Sequence, residues 1–152
     1  MRSRTANWFI CKIRYEKVME DGLQKKVTEQ YVVDALSFTE AEARIIEEMS
    51  SFISGEFEVV EIDRCVFKEI FFSDSEDSYW YKSKVQFITI DEKTEKEKKS
   101  NVYYLVEGTS LANARSNIND VFSGTMIDYK IAGINETSIE NVFEFIKKEE
   151  AK

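Results

Sequence analysis

Apolar positions recur with a helical period in and just after residues 37–49, whose sequence is SFTEAEARIIEEM. Ser37 and Thr39 are both good N-cap residues, and each is followed three positions later by a glutamate, so either can close a capping box. The apolar stripe behind the cap consists of Ala41, Ile45, Met49 and Phe52, with Ile46 beside them. The pattern predicts an amphipathic helix that buries one face and ends before Gly55.

Residues 7–18, before the helix, alternate with a period of two, which is typical of a half-buried strand. The apolar side consists of Phe9, Cys11, Ile13 and Tyr15, and the polar side of Lys12, Arg14 and Glu16. Trp8 and Ile10 share the polar side at one end, so we expect that end to be covered. MEDG at residues 19–22 predicts a turn in which Gly22 can take a positive φ, and LQKKVTEQYVVDA then predicts the second strand of a hairpin.

The segment after Gly55 is rich in β-branched and aromatic residues. Its sequence FEVVEIDRCVFKEIFF, residues 57–72, predicts one long strand with a bend or bulge near residues 63–65, where the alternation slips. The polar run SDSEDS at residues 73–78 then predicts a loop. A calcium loop is disfavoured there, because the ligand positions and flanking helices of an EF-hand are missing.

A weaker copy of the first half follows this loop. The strand residues Trp8, Phe9, Lys12, Ile13 and Tyr15 align with Trp80, Tyr81, Lys84, Val85 and Phe87 at an offset of 72. The helix residues Ala41, Ile45 and Met49 align with Ala114, Ile118 and Phe122 at an offset of 73, and Thr109 or Ser110 can cap this second helix. In the copy, DEKTEKEKK forms a longer hairpin tip.

The repetition predicts an α+β fold of two ββαβ repeats, at residues 7–72 and 79–136, with mainly antiparallel sheet and one helix per repeat. Two such units can cover each other's open faces, so we expect one pseudo-twofold domain. The tail at residues 137–152 carries apolar residues at helical spacing, which predicts a short C-terminal helix. They are Ile139, Val142, Phe143 and Ile146.

Composition and charge limit the partners. With 152 residues, of which 43% are hydrophobic, the chain can build one ordinary core. It shows neither a membrane-length apolar run nor a signal peptide, so we expect a cytoplasmic protein without a membrane partner. Cys11 and Cys65 lie in strand-like runs, where reduced, buried thiols are expected. A net charge of -8 disfavours binding to duplex DNA.

Missing residue types restrict the chemistry further. The sequence contains no histidine, which removes the usual general base, the Ser-His-Asp triad and every metal site that needs a histidine. Two separated cysteines cannot form a structural zinc site by themselves, and the five glycines are too scattered for a phosphate-binding loop. We therefore assign no catalytic residue, metal or cofactor, although carboxylate or lysine chemistry remains open.

The sequence also resembles a known family. The stretch WFICKIRYEKVMEDGLQKKVTEQYVVDALSFTEAEARIIEEMSSFISGEF is similar to an uncharacterised-domain family of Bacteroides-type gut bacteria, their mobile elements and phages, and VTEQYVVDALSFTEAEARI is its most specific part. The resemblance covers nearly the whole chain. It implies a small intracellular protein encoded by a phage or mobile element, and it transfers no functional residue.

The first functional hypothesis is a non-enzymatic binder that sequesters a host factor. The factor is a host protein or a host signalling molecule, with a negatively charged nucleotide as the most specific version. Aromatic and cationic side chains at repeat-related positions would line a symmetric pocket, which a homodimer would close further. The candidate ligand-binding residues are Trp8, Lys12, Arg14, Trp80, Lys84, Arg44 and Arg115. In the competing interpretation the tryptophans belong to the core, the strand lysines are solvated, and the two helix arginines form ordinary ion pairs.

Two alternatives belong to other classes. An accessory protein of nucleic-acid metabolism would use the aromatic-rich strands as a stacking platform for single strands, although the net charge opposes this. A hydrolase would hold a metal with carboxylates such as Glu61 and Asp63, although such a pair is more typical of the wet side of a strand.

Overall fold

The computed structural model describes residues 1–145, which form two compact units. The first unit consists of Ala6–Cys65 and residues 138–145, and the second unit of Met1–Thr5 and Val66–Thr137. The elements are β1 (Arg2–Thr5), β2 (Trp8–Val18), β3 (Gln24–Asp34), α1 (Phe38–Phe52), β4 (Phe57–Arg64), β5 (Glu69–Phe72), β6 (Tyr79–Ile90), β7 (Glu97–Gly108), α2 (Leu111–Phe122), β8 (Asp128–Glu136) and β9 (Ile139–Phe143).

The sheet of the first unit has the strand order β4-β2-β3-β9. β2 pairs antiparallel with both β3 and β4, which confirms the predicted hairpin, and Gly22 in its turn has a φ of 83°. The predicted apolar side of β2 packs under α1. The buried members of this core are Phe9, Cys11, Ile13, Val33, Ala35, Ala41, Ile45 and Met49.

Helix α1 begins where the capping signal predicts. Ser37 is the N-cap, and its hydroxyl accepts a hydrogen bond of 3.1 Å from the backbone N–H of Glu40. This bond satisfies one of the N–H groups that a helix start leaves without a partner. Thr39, the other candidate cap, lies inside the helix, which ends at Phe52. The predicted orientation is confirmed because Ala41, Ile45 and Met49 are its buried residues.

The sheet of the second unit has the strand order β1-β5-β7-β6-β8. Helix α2 packs on the side of this sheet that carries Tyr81 and Val85. Ser110, one of the two predicted caps, begins α2 by accepting a 3.0 Å hydrogen bond from the N–H of Asn113. The buried core consists of Phe71, Tyr81, Val85, Tyr104, Val106, Ala114 and Ile118. Within residues 1–145, neither helix is long and apolar enough to cross a membrane.

The two units share details of strand register. β2 and β4 shift register between Lys12 and Ile13, and β6 and β8 shift between Lys84 and Val85, so each edge strand carries a bulge at the equivalent place. The α+β fold is confirmed, and the two halves have matching element order. The pseudo-twofold relation, the repeat boundaries and the single domain stay predictions.

The long third strand of the first repeat was predicted wrongly, because the chain leaves the strand after Arg64. Residues 57–64 form β4, and residues 69–72 form the separate strand β5, which pairs parallel with β7 in the second unit. The burial patterns explain the break. β4 alternates between half-buried and exposed positions, whereas Ile70, Phe71 and Phe72 are buried in succession, as in strands covered on both sides.

The predicted C-terminal helix is also wrong. Residues 139–143 form β9, which pairs parallel with β3, although Ile139, Val142 and Phe143 have helical spacing. β-branched and aromatic side chains favour a strand, and the segment gains stability by pairing with the edge of β3, whereas a short isolated helix is only marginally stable in water. The Phe143 ring also stacks on Tyr31, with ring centroids 5.6 Å apart. Ile146 and the rest of the predicted helix lie outside the described residues.

The strand that follows each ββαβ unit is therefore exchanged. β5 follows β4 in the chain but joins the sheet of the second unit, and β9 follows β8 but joins the sheet of the first. In each sheet the received strand pairs parallel with the second strand of the hairpin. A further strand, β1, pairs with β5, and its sequence RSRT contains no apolar residue that could have predicted it.

Both cysteines are buried and unbridged, as expected. Burial raises the pKa of the Cys11 thiol to about 12, because the charged thiolate loses its hydration there. Cys11 is a fully buried member of the first unit's core. It therefore packs as a small apolar side chain and remains protonated at neutral pH.

Candidate functional site

The tryptophans proposed to stack on a ligand are buried. Trp8 is 2% exposed and Trp80 is 5% exposed. The ring of Trp80 meets the ring of Phe72 edge to face, at 5.6 Å between centroids. Neither tryptophan offers an open ring face, so the geometry matches the interpretation in which they belong to the core. Their role in binding a ligand stays a prediction.

The two lysines of the Trp-x-x-x-Lys pattern have different surroundings. The ammonium of Lys12 lies 2.8 Å from a carboxylate oxygen of Glu61. The hydrogen bond between them raises the pKa of Lys12 and lowers the pKa of Glu61, while a hydrogen bond with Glu61 raises the pKa of Asp63. Lys84 faces Gly133 across its strand pair and has no carboxylate at that position. The structure therefore does not give the two lysines equivalent half-sites.

The three arginines predicted to bind a ligand also differ in their surroundings. Arg14 is exposed on β2 opposite Glu58, and Arg115 is exposed on α2. Arg44 is only 12% exposed at its side chain. It pairs with Glu40 one turn earlier on α1, and its guanidinium lies 5.5 Å from the ring centroid of Phe145. Arg44 is thus used for packing within the first unit.

Two buried carboxylates, neither of them among the predicted site residues, hold the exchanged strands. Asp34 ends β3, is 0% exposed, and accepts a 2.7 Å hydrogen bond from the N–H of Phe145, two residues after β9. Glu107 lies at the equivalent position of β7. It accepts from the N–H groups of Ser73 and Asp74, just after β5, at 2.9 and 2.7 Å. A carboxylate therefore fixes the end of the received strand in each unit.

The same positions are supported from the helices. Arg44 of α1 donates to the backbone carbonyl of Asp34, and Asn117 of α2 donates to the carbonyl of Glu107 at 3.0 Å. The sequence contains the signal for this arrangement, since an acidic residue follows an apolar run in both YVVDA and YLVEG. A carboxylate at the end of an otherwise buried strand needs hydrogen-bond donors, which predicts a structural contact.

A groove runs between α1 and β4 in the first unit, with a volume of about 330 Å³. We call it the α1–β4 groove. It is lined by Phe38, Thr39, Glu42, Val59, Val60, Glu61 and Ile62. β4 is an edge strand, and no other strand within residues 1–145 pairs with its outer side. The backbone of β4 therefore has hydrogen-bonding groups beside a lining that contains both apolar and polar side chains.

Phe38, which lines the α1–β4 groove, packs against Phe9 and Arg64. The ring of Phe38 meets the ring of Phe9 edge to face at 5.1 Å, and the guanidinium of Arg64 lies 5.2 Å from each ring centroid. Phe38 nevertheless stays 46% exposed. Val60 is the extra residue at the bulge, because Lys12 pairs with Glu61 and Ile13 pairs with Val59. An anchored aromatic ring and a bulge residue thus lie beside the open edge.

The carboxylates near this edge do not form a metal centre. No three His, Cys, Asp or Glu side chains in the described part of the chain, residues 1–145, are placed to hold a metal ion. Glu61 and Asp63 share a hydrogen bond, and Lys12 pairs with Glu61, which accounts for the pKa shifts of all three groups. Their arrangement is that of a charged strand surface.

Fold and site together define the class: an α+β protein of two ββαβ units, each followed by one strand that joins the sheet of the other unit, with a groove on the edge of one unit. The chain belongs to the family described as Domain of unknown function (DUF4494), whose model matches residues 7–145. The resemblance to an uncharacterised-domain family is thereby confirmed. No curated protein and no solved structure matches the chain.

Proposed function

We propose that this protein is a non-enzymatic binder that sequesters a host factor, and that the factor is a protein. The observation that carries the proposal is the α1–β4 groove, where an exposed, anchored Phe38 lies beside an edge strand. Exposed strand edges are templates on which other chains add a strand. In this proposal the protein is encoded by a phage or mobile element, as the family resemblance suggests.

The geometry favours a protein over a nucleotide as the sequestered factor. Stacking of a base needs an open ring face, and both tryptophans are buried. Binding of a phosphate needs available cations, and two of the five candidate cations, Lys12 and Arg44, are already paired with Glu61 and Glu40. The net charge of -8 adds a general repulsion of anions. The same three observations count against the single-strand binder.

The carboxylate-based hydrolase receives no support from the site. Glu61 and Asp63 have opposite pKa shifts, which can mark an acid and base pair. Here both groups are exposed on an edge strand, and their shifts follow from a shared hydrogen bond and from Lys12. Because both carboxylates are exposed, water reaches them freely. We therefore retain binding as the function.

Native mass spectrometry of the protein purified from its host tests the proposal. We expect one host protein to co-purify at a fixed stoichiometry, and the same spectrum reports whether the chain forms a homodimer. Isothermal titration calorimetry with cyclic and linear nucleotides should show no binding heat. A nucleotide retained through purification, or turnover of any nucleotide, would overturn the proposal.

A further inference from the structure

We infer that an acidic segment of the partner protein binds the open sheet face of the second unit, which is the face of β6, β7 and β8 that points away from α2. This inference rests on the proposed function and deepens it, because it gives the charge of the partner and a contact surface for it. We call this surface the lysine face. Its members are Lys82, Lys84, Gln86, Asn101, Tyr103 and Lys130.

The strand register places these side chains on one face. Tyr81 and Val85 of β6 belong to the core under α2, so the even-numbered residues 82–86 of this strand lie on the opposite face. Residues paired across antiparallel strands share a face. The members that β7 and β8 add by this pairing are Asn101, Tyr103 and Lys130. The preceding row of the same face, Trp80 and Glu107, is buried, whereas Lys82 and Lys130 are exposed.

The three lysines of this face have no carboxylate partner within residues 1–145. None of Lys82, Lys84 and Lys130 takes part in a salt bridge there. The ammonium of Lys82 instead lies 5.3 Å from the ring centroid of Tyr103. Like charges on neighbouring positions of a sheet repel each other, so the fold gains no stability from this arrangement. In a chain with a net charge of -8, such a cluster indicates a contact surface for an anionic partner.

The equivalent face of the first unit compensates its own charges. There the ammonium of Lys12 lies 2.8 Å from Glu61, and Arg14 pairs in register with Glu58. Both carboxylates come from β4, the strand that corresponds to β8. The β8 residues aligned with them carry no negative charge; they are Lys130 and Gly133. The loss of these two carboxylates leaves the lysines of the second unit available to a partner.

The occupant that fits the lysine face is a protein segment rather than a nucleic acid. A single strand needs open aromatic rings on which its bases can stack. Tyr103 is the aromatic member of the face, and Lys82 already lies over its ring. A segment rich in Asp and Glu needs only cations and hydrogen-bond donors, which the lysines and the side-chain amides supply. Salt screens charges beyond about 8 Å, so these adjacent lysines outweigh the more distant carboxylates of the chain.

A labelled peptide tests the inference. The probe is a rhodamine-labelled peptide of about eight residues with alternating glutamate and threonine, and its control has glutamine in place of glutamate. Fluorescence anisotropy measures the affinity, and NMR chemical-shift changes locate the site. We expect the acidic peptide alone to bind, with amide shifts at Lys82, Tyr103 and Lys130 and weaker binding at high salt. Shifts confined to β2, equal binding of both peptides, or no binding at all would overturn the inference.

Matched variants separate the lysine face from general electrostatics. Lys82→Gln with Lys130→Gln removes two charges from the face, and we expect at least about tenfold weaker binding of the acidic peptide. Lys25→Gln with Lys93→Gln makes the same change in net charge at positions outside the face. This control should keep the affinity within about twofold. All four positions are exposed, and circular dichroism checks folding. Equal losses in both double variants would refute the site.

A labelled oligonucleotide tests the competing class of partner. The probe is an oligothymidylate of about eight nucleotides that carries the same dye. We expect it to bind more weakly than the acidic peptide, because the face offers no open ring for stacking. Tighter binding of the oligonucleotide than of the peptide, lost in the Lys82→Gln, Lys130→Gln variant, would make this a nucleic-acid surface and overturn the inference.

Purification from the host separates this inference from the proposed function. A host protein that co-purifies equally with the wild type and with the Lys82→Gln, Lys130→Gln variant would refute this site while leaving the proposed function intact. If no host protein co-purifies with the wild type, the proposed function itself fails.

Discussion

A buried carboxylate ends the second hairpin strand in both units, yet the helix surfaces next to those strands differ in charge. Asp34 and Glu107 each accept a hydrogen bond from a backbone N–H within two residues of the end of a received strand. In contrast, Glu42 on α1 corresponds to Arg115 on α2. The positions that hold the strands together thus keep one chemistry, while the groove positions do not. The comparison shows which repeated positions stabilise the fold in both units and which positions differ between the units.

The largest expected effect tests the shared core. Ile45 and Ile118 occupy equivalent helix positions, and both are fully buried. Aspartate at either position would bury a charge without a partner, so the free energy of unfolding should fall by roughly 3 kcal/mol or more. Glu47 is exposed on the same helix, and Glu47→Lys should change it by less than about 0.5 kcal/mol. Urea denaturation compares the variants. Equal losses for Ile45→Asp and Glu47→Lys would contradict the observed orientation of α1.

The next effect concerns the carboxylates that hold the exchanged strands. Asp34→Ala and Glu107→Ala remove the buried acceptor of part-buried backbone N–H groups, and each should lower the free energy of unfolding by about 1 to 3 kcal/mol. Asp34→Asn and Glu107→Gln keep an acceptor oxygen and should lose less. Hydrogen exchange followed by NMR measures protection at the amides of Phe145, Ser73 and Asp74. Unchanged protection in the alanine variants would show that these carboxylates do not fix the strand ends.

An effect of comparable size distinguishes the two units at the contact between a strand end and a helix. A Cβ added at Gly108 would lie 2.9 Å from the backbone nitrogen of Ala114, which is closer than real Cβ atoms come. Gly108→Ala should therefore destabilise the protein by about 1 to 3 kcal/mol. The equivalent residue in the first unit is Ala35, which is buried. Ala35→Gly should cost only about 0.5 to 1 kcal/mol. Thermal melting compares the two, and a larger loss for Ala35→Gly would be inconsistent with this packing.

Local signals in the sequence predicted most of the fold. The cap at Ser37, the turn at Gly22 and the alternation in β2 each depend on neighbouring residues, and all three are confirmed. The exchanged strands depend on partners distant in sequence, as when Tyr31 pairs with Asn141. Periodicity cannot encode a parallel partner, and the helical spacing around Ile139 indicated the wrong element. Tertiary pairing overrode that local pattern.

The site was harder to predict for a related reason. The alternating pattern indicated that Trp8 and Lys12 share one face of β2, but it could not indicate whether that face is exposed to solvent. Trp8 proved to be buried, and Lys12 found a partner on β4. The groove depends on the bulge at Val60 and on an unpaired strand edge, which no single segment reveals. Comparing the aligned repeats would have shown that Glu42 of α1 corresponds to Arg115 of α2.

The smallest expected effect is a difference between the two hairpins in how pH changes the stability of the protein. In the first unit the carboxylate of Glu29 accepts hydrogen bonds from Tyr15, at 2.7 Å, and from Tyr31, at 3.0 Å, and also pairs with Lys17. Burial alone would raise the pKa of Glu29, but these partners together lower it below its ordinary value of 4.5. In the second unit the equivalent residue is Val102, which cannot titrate.

The sign of the pH dependence follows from the lowered pKa. A carboxyl group whose pKa is lower in the folded state stabilises the protein above its unfolded pKa, near 4.5, and loses that contribution as the pH falls through the folded value. Glu29→Gln removes the titrating group, so its stability should fall less than that of the wild type below about pH 4.5. Val102→Thr, at the equivalent place in the other hairpin, should leave the wild-type pH profile unchanged in shape. Urea midpoints measured from neutral to acidic pH test this, and parallel curves for the wild type and Glu29→Gln would show that Glu29 does not carry the difference between the hairpins.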